Sequence, residues 1–225
     1  RLVIEAALGS IDRGTPYGEE REQVSVAENI SFDLLGNDYA FNAWDEPGQS
    51  RGDPEDNPLA QYVSFLRACS PAEYLESIEA AASGYSSPAV WARLLGVGAE
   101  RIGDVAGELW PYAVNTTVLA HQGTLRDAVR FIAAAYPTRP IELRRAFETE
   151  ALRADLFTDG RRQRWWRNAL SRFLSLVDET AIATDAVRNL RTELADASEL
   201  NGNEPFFSMT ITRGSGHGIT RSILA

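Results

Sequence analysis

Residues 87–156 read SPAVWARLLGVGAERIGDVAGELWPYAVNTTVLAHQGTLRDAVRFIAAAYPTRPIELRRAFETEALRADL, and this stretch decides the fold. Apolar residues recur in it every three or four positions, which is the period of an amphipathic helix. Prolines and short polar residues separate the apolar runs, so three or four helices follow one another with short connections. Helices with one apolar face each must share a core. We therefore predict stacked antiparallel helical hairpins.

Local signals predict where these helices begin and end. Ser87 before Pro88 is an N-cap followed by a first-turn proline, so a helix should begin there. We expect Gly96 and Gly98 to end it. The pair Thr124 and Asp127 has the spacing of a capping box and predicts another helix start.

The predicted fold class is all-α, a solenoid-like array of antiparallel helical hairpins with a short C-terminal β-strand. Hairpins beginning near Pro58, Pro88 and Leu125 suggest a repeat of about 30 to 40 residues. The predicted regions are N-terminal helices over 1–44, an acidic loop over 45–57, central hairpins over 58–156, basic and aromatic helices over 157–200, and a tail with the strand over 201–225.

Two of these predictions depend on spacing alone. Apolar residues within 24–34 fit a helical period and predict the second N-terminal helix, after a first one at 2–12. Residues 207–211 alternate between apolar and polar, which predicts a strand. Because a lone strand needs a partner, we expect that partner in another part of a longer parent chain.

The composition is that of a folded protein with an acidic surface. The 225 residues are 44% hydrophobic and carry a formal net charge of −10, which disfavours a general affinity for nucleic acid or anionic membranes. The charge is uneven. Residues 1–112 contain seven arginines against 19 acidic residues, whereas residues 113–225 contain 15 arginines against 13. The N-terminal half is therefore the acidic one.

Several chemistries lack the residues they need. All 22 basic residues are arginine, which excludes a Walker A phosphate loop, a Schiff-base enzyme and a Ser–Lys dyad within this chain. The only histidines, His121 and His217, and the only cysteine, Cys69, have no metal-ligand spacing. We expect no catalytic residue, no cofactor and no metal, and we expect His121 at the surface or half-buried. A minor alternative is a hydrolase that uses carboxylates such as Asp104 and Glu108.

The basic and aromatic run at residues 161–172 is the strongest candidate for a functional surface. Arginines with tryptophans can neutralise phosphates and stack on bases, so nucleic-acid binding by this helix is the alternative function. A structural role is favoured, because Trp166 lies in phase with the apolar stripe of the same helix and arginines can pair with acids of neighbouring helices. The candidate interaction surface consists of Arg161, Arg162, Arg164, Trp165 and Arg167.

A family resemblance rests on the order of several motifs. SPAVWARLL at 87–95, ELWP at 108–111, the helix at 124–136 ending at Pro137, and PFFSM at 205–209 resemble helical-repeat regions of large bacterial STAND-type NTPases. The resemblance covers about a third of the chain. It implies a non-catalytic sensor or scaffold arm in a signalling protein of the kind linked to anti-phage defence, with no catalytic residues in this region.

The expected function is therefore recognition of a protein partner, or of other domains of the parent chain. No apolar run approaches the roughly 20 residues that span a bilayer, so we expect no membrane association. A single cysteine cannot form an internal disulfide, which favours the cytoplasm. The chain begins with Arg1 rather than Met, and we expect it to be cut from a longer polypeptide.

Overall fold

A computed structural model describes residues 21–27, 30–35, 58–83, 87–121, 123–153, 156–157, 160–200, 208–212 and 220–224. These residues are mostly helical, with two small two-stranded sheets. The predicted helix at 2–12, the acidic loop at 45–57 and most of the glycine-rich tail lie outside them. None of the helices in the described ranges is long and apolar enough to cross a membrane.

The helices are numbered in chain order. Short 3-10 turns at Tyr136–Thr138 and Glu179–Ala181 follow the sixth and eighth helices. The α-helices within the described ranges are α1 (Pro58–Ala68), α2 (Pro71–Ala82), α3 (Pro88–Glu100), α4 (Ile102–Ala113), α5 (Thr116–Ala120), α6 (Leu125–Ala135), α7 (Ile141–Ala151), α8 (Gly160–Leu176) and α9 (Asp185–Asp196).

The predicted helix starts are confirmed where the signal is local. Helices α1, α2 and α3 each begin at a proline, whose missing N–H is no loss in a first turn. Before α2, the Glu73 N–H donates to Ser70 Oγ at 3.3 Å, and the Ser70 N–H donates to Glu73 Oε2 at 2.8 Å. Both bonds of a capping box are therefore present.

The predicted end of α3 is wrong, because the helix continues through both glycines to Glu100. A Cβ atom on Gly98 would lie 2.5 Å from Leu109 Cδ1 of α4 and 3.3 Å from the Phe131 ring of α6. Gly98 is thus needed where three helices approach closely, and it does not end the helix. This requirement comes from tertiary packing, so a local stop signal cannot reveal it.

The capping box predicted at Thr124 is also wrong, although α6 does begin at the next residue. The Thr124 hydroxyl donates to the Val118 carbonyl oxygen at 2.6 Å, which ties the start of α6 to α5. Asp127, 4% exposed, is paired with arginines instead of the helix start. The threonine side chain therefore joins two helices.

The predicted helix over 24–34 is wrong as well, because these residues form an antiparallel hairpin of β1 (Arg21–Ala27) and β2 (Ile30–Leu35). Val24 pairs with Phe32, and both are buried. The Phe32 ring stacks on Trp91 of α3, and the Asn115 side-chain amide donates to the Ser25 carbonyl oxygen at 2.9 Å. Alternate residues of these strands are buried against the helical core. This packing favours strands, although the spacing of the apolar residues also fits a helix.

The predicted C-terminal strand is confirmed as β3 (Ser208–Thr212). Its partner is β4 (Thr220–Leu224), which pairs with it in an antiparallel register that brings Ser208 opposite Leu224. The expectation that the partner strand lies in another part of a parent chain is therefore wrong.

Helices α3 and α6 form the centre of the helical core. They pack against each other, and α6 also contacts α4, α5 and α8. The large side chains with less than 2% exposure include Trp91 of α3 and Phe131 of α6. Contacts between α1 and α3, and between α2 and α4, join successive hairpins. Antiparallel helices packed on a common core are present, but a solenoid arrangement is not confirmed.

Candidate functional site

The basic helix α8 exposes part of the surface that the sequence predicts. Arg162 and Arg164 are exposed, in the first two turns of the helix. The side chains of Arg161 and Trp165 lie outside the part of the chain that the structure describes. The structure also shows which residues surround Trp166, Arg167 and Arg172.

Arg167 is exposed, but it is paired with acids near the end of α9. Its Nε donates to Glu199 Oε2 at 3.0 Å, and a terminal nitrogen lies 3.6 Å from Glu193 Oε1. The hydrogen bond to Glu199 is the main cause that raises the pKa of Arg167 above its usual value. Arg167 therefore helps to join α8 to α9, as the structural interpretation predicts.

Trp166 belongs to the core. It is 7% exposed, and its indole N–H donates to the Ala151 carbonyl oxygen of α7 at 3.0 Å. Its ring meets Phe157 edge to face, with centroids 6.0 Å apart. The predicted core position of Trp166 is confirmed, and this tryptophan is not exposed for stacking on a nucleic-acid base.

A second group of arginines lies where α8 packs on α6, and the sequence analysis missed it. We call Arg126, Arg130 and Arg172 the arginine cluster. Asp127 Oδ2 lies 3.1 Å from a terminal nitrogen of Arg126, and its Oδ1 lies 3.5 Å from one of Arg130. Partial burial lowers the pKa of Arg172, and the positive charges of Arg130 and Arg126 lower it further. The guanidinium group of Arg172 therefore lies within electrostatic reach of Arg126 and Arg130.

Helix α3 makes room for the carboxylate that anchors this cluster. A Cβ atom on Gly96 would lie 3.2 Å from Asp127 Oδ1, which is tighter than an ordinary contact. Glycine at this position lets α6 approach α3 with the carboxylate between them. The Asp127 side chain is only 6% exposed, whereas those of Arg126 and Arg130 are 35% and 44% exposed. The anchor is buried and the cations face solvent.

The sequence alone places two of the three arginines of this cluster together. Arg126 and Arg130 are four residues apart and so lie on one face of a helix, with Asp127 beside them. Arg172 comes 42 positions after Arg130 in the printed sequence. Only the packing of α6 on α8 brings it to the same place.

Arg101 forms a second polar centre, and its role is structural. Its guanidinium donates to the carbonyl oxygens of Leu66 and Cys69 at 2.7 and 2.8 Å, which satisfies the C-terminal end of α1. It also pairs with Asp104 at 2.8 Å and lies 5.3 Å from the centroid of the Tyr74 ring. Burial raises the pKa of the Cys69 thiol, which opposes formation of the reactive thiolate.

Glu148 of α7 is a buried carboxylate beside a small apolar cavity between α7, α8 and α9. Tyr136 donates its hydroxyl to Glu148 Oε1, and the Ala183 N–H donates to the same oxygen at 2.8 Å. The other oxygen has no hydrogen-bond partner among the described residues. Glu148 is the one carboxylate among the residues lining that cavity, whereas acid–base catalysis by carboxylates pairs two of them.

His121 is buried, with 4% exposure, so the expectation of a surface or half-buried side chain is wrong. Its Nδ1 accepts a hydrogen bond from the Gly123 N–H at 3.0 Å, which stabilises the turn before α6. Within the ranges that the structure describes, no group of three or more histidine, cysteine or acidic side chains is arranged to hold a metal ion.

Comparison with protein-family models, with curated proteins and with solved structures found no match to this chain.

Proposed function

We propose that this protein is a non-catalytic helical module that recognises a protein partner, or another domain of its parent chain, through its surface. The observation that carries this proposal is the arginine cluster on α6 and α8. The Asp127 carboxylate lies between Arg126 and Arg130, and Arg172 is near enough for the charges of both to lower its pKa. Arg130 and Arg172 belong to different helices, so folding itself creates this concentration of positive charge.

The like charges of the cluster carry an energetic cost. Like charges held near one another repel, and the lowered pKa of Arg172 reflects that repulsion together with partial burial. Residues that oppose the stability of a fold are concentrated at functional sites. In a chain with a net charge of −10, a local group of cations also marks one face for association with negative groups.

We propose that successive hairpins form a solenoid-like repeat, which the contacts of α1 with α3 and of α2 with α4 support. We propose further that the module is a sensor or scaffold arm of a bacterial STAND-type signalling or defence protein that acts in the cytoplasm. Its motif order and the absence of lysine support that role.

The alternative of nucleic-acid binding by α8 has weaker support. Arg162 and Arg164 are exposed and suit phosphate groups. However, Trp166 is in the core and Arg167 is paired with Glu193 and Glu199, so two of the features that suggested this function serve the packing of the helices.

Site-specific crosslinking in the native host tests the proposed function. Asn168 is exposed and lies one turn before Arg172 on the same face of α8. We would replace it with a photoreactive p-benzoylphenylalanine and identify the products by mass spectrometry. The matched control places the same group at Asn189, which is exposed on α9.

We expect a discrete protein product from position 168 that position 189 does not give, and Arg172→Gln should reduce its yield. No protein product from position 168, or equal yields of one product from both positions, would contradict the proposal. A product that contains nucleic acid and no protein would support the alternative function instead.

A further inference from the structure

We propose that the arginine cluster binds an acidic peptide segment of the partner, with side-chain carboxylates placed against Arg126, Arg130 and Arg172. This inference rests on the proposed function, because it names the chemistry of the partner at the same surface. Arginine suits this role, since its planar guanidinium can donate two parallel hydrogen bonds to one carboxylate.

The cluster is partly pre-organised by Asp127. Each oxygen of this buried carboxylate is directed at one arginine, Oδ2 at Arg126 and Oδ1 at Arg130. Asp127 already holds both guanidinium groups in place. The binding of a ligand therefore loses less free energy to the ordering of these side chains. Arg130 is 44% exposed, and a guanidinium has five N–H donors, so one bond to Asp127 leaves donor capacity toward solvent.

Arg172 brings a third positive charge from a different helix. It is partly buried, and its pKa is lowered by that burial and by the nearby charges of Arg130 and Arg126. A bound carboxylate would reduce this repulsion, so the interaction favours anions. Glu100 lies within electrostatic reach of Arg130, but Arg67 holds both of its carboxylate oxygens, at 2.9 and 3.0 Å.

The observations favour an acidic peptide over a nucleic acid. Strong non-specific binding to DNA draws on about six to ten phosphate contacts, whereas this cluster offers three cations. A chain with a net charge of −10 also repels a long polyanion more strongly than a short segment with a few carboxylates. In addition, Trp166, the tryptophan of α8 whose side chain is described, is buried and offers no face for base stacking.

The test uses the full chain and two probes of similar charge. Fluorescein-labelled hexaglutamate represents the acidic segment, and 5′-phosphorylated hexathymidylate represents a nucleic acid. Binding is measured by fluorescence anisotropy at low salt for the unsubstituted chain and for the variant Arg126→Gln/Arg130→Gln/Arg172→Gln. The matched control is Arg188→Gln, because the Arg188 side chain is 38% exposed, close to those of Arg126 and Arg130, and pairs with an aspartate three residues before it.

We expect the triple variant to bind hexaglutamate about tenfold more weakly, and Arg188→Gln to change the affinity less than about twofold. Raising the salt concentration should weaken binding to the unsubstituted chain, since these contacts face solvent. Far-ultraviolet circular dichroism checks folding. Should the triple variant not fold, Arg130→Gln alone is compared with Arg188→Gln, with a loss of about threefold expected.

Equal hexaglutamate binding by the cluster variant and the control would overturn the inference. Tighter binding of hexathymidylate than of hexaglutamate, lost with the same three arginines, would also overturn it and would assign the cluster to nucleic acid. If hexaglutamate binding fails while the protein crosslink at position 168 persists, the acidic segment is wrong and the proposed function stands. If the chain with intact arginines gives no protein crosslink at position 168, that result counts against the proposed function.

Discussion

Phe32 of the N-terminal hairpin stacks on Trp91 of α3, with ring centroids 4.4 Å apart and ring planes inclined by 17°. Trp91 stacks in turn on Tyr112 of α4, at 5.0 Å between centroids. Trp91 has no exposed surface, so this row of rings joins a strand and two helices in the core. The hairpin is therefore held to the helices by aromatic packing as well as by the bond between Asn115 and Ser25.

Replacement of Trp91 by alanine should leave a cavity where β2, α3 and α4 pack together. We expect Trp91→Ala, and likewise Trp110→Ala, to lower the free energy of unfolding by about 3 to 5 kcal/mol, as is usual for large aromatic side chains removed from a core. Urea denaturation measures the change. Leu143→Ala is the control, because Leu143 is 42% exposed and its loss should cost less than about 0.5 kcal/mol. Tryptophan variants that cost as little as this control would refute the core assignment.

Two helical glycines give opposite predictions. Gly98→Ala places a methyl group 2.5 Å from Leu109 Cδ1, so we expect a loss of about 1 to 3 kcal/mol in unfolding free energy. Nothing lies within 4 Å of a Cβ on Gly103, near the start of α4, so Gly103→Ala should stabilise the protein by about 0.4 to 1 kcal/mol. Thermal unfolding compares the two variants. The same sign for both would mean that α3 and α4 do not approach closely at Gly98.

Local chemistry explains why the helix starts are predictable from sequence. A proline in the first turn and the reciprocal bonds of Ser70 and Glu73 act within four residues, so their pattern is complete in the sequence. The in-phase position of Trp166 on α8 is predictable for the same reason, because a helical face follows from spacing. These features need no knowledge of what packs against them.

Three of the errors concern contacts between residues that are distant in the sequence. In the sequence alone, Gly98 indicates the end of a helix. In the fold, glycine is needed there because Leu109 and Phe131 leave no room for a side chain. The apolar residues of 24–34 fit either a helix or two strands, and burial of Phe32 against Trp91 decides for the strands. The arginine cluster was missed because α6 and α8 must pack before Arg172 joins Arg130.

The ion pair between Arg67 and Glu100 predicts a pH dependence. The hydrogen bond from Arg67 lowers the pKa of Glu100 below its usual 4.5, so the unfolded chain binds the proton more readily than the folded one. The stability that this pair contributes is present above about pH 4.5 and is lost as the pH falls through the lower folded value. Because both side chains are more than a third exposed, the contribution is at most about 1 kcal/mol.

We therefore expect Arg67→Gln to be less stable than the unsubstituted chain at neutral pH, and the two to converge as the pH falls through the lowered pKa of Glu100. Urea denaturation at each pH measures the difference between them, which removes the effect of other titrating groups. Arg188→Gln is the control for a change of charge on an exposed helix. A difference that stays constant as the pH falls from neutral to well below 4.5 would contradict the assigned role of the pair.

Glu148 should contribute strongly to stability, because its carboxylate accepts hydrogen bonds from a buried donor and a partly buried one. The Tyr136 hydroxyl and the Ala183 N–H both donate to Oε1, which ties α7 to the turn before α9. Glu148→Ala leaves both donors without this acceptor, at a cost of about 1 to 3 kcal/mol for the buried tyrosine hydroxyl. Glu148→Gln keeps a carbonyl oxygen as acceptor and should cost less.

A double-mutant cycle with Tyr136→Phe isolates the tyrosine bond. We expect a coupling energy between Glu148→Ala and Tyr136→Phe of about 0.5 to 3 kcal/mol, because the two side chains share one hydrogen bond. Glu142→Ala on the same helix is the control, since Glu142 is exposed, and it should change stability by less than about 0.5 kcal/mol. Additive effects in the cycle, with Glu148→Ala no worse than Glu142→Ala, would show that the buried carboxylate does not hold α7 to the segment before α9.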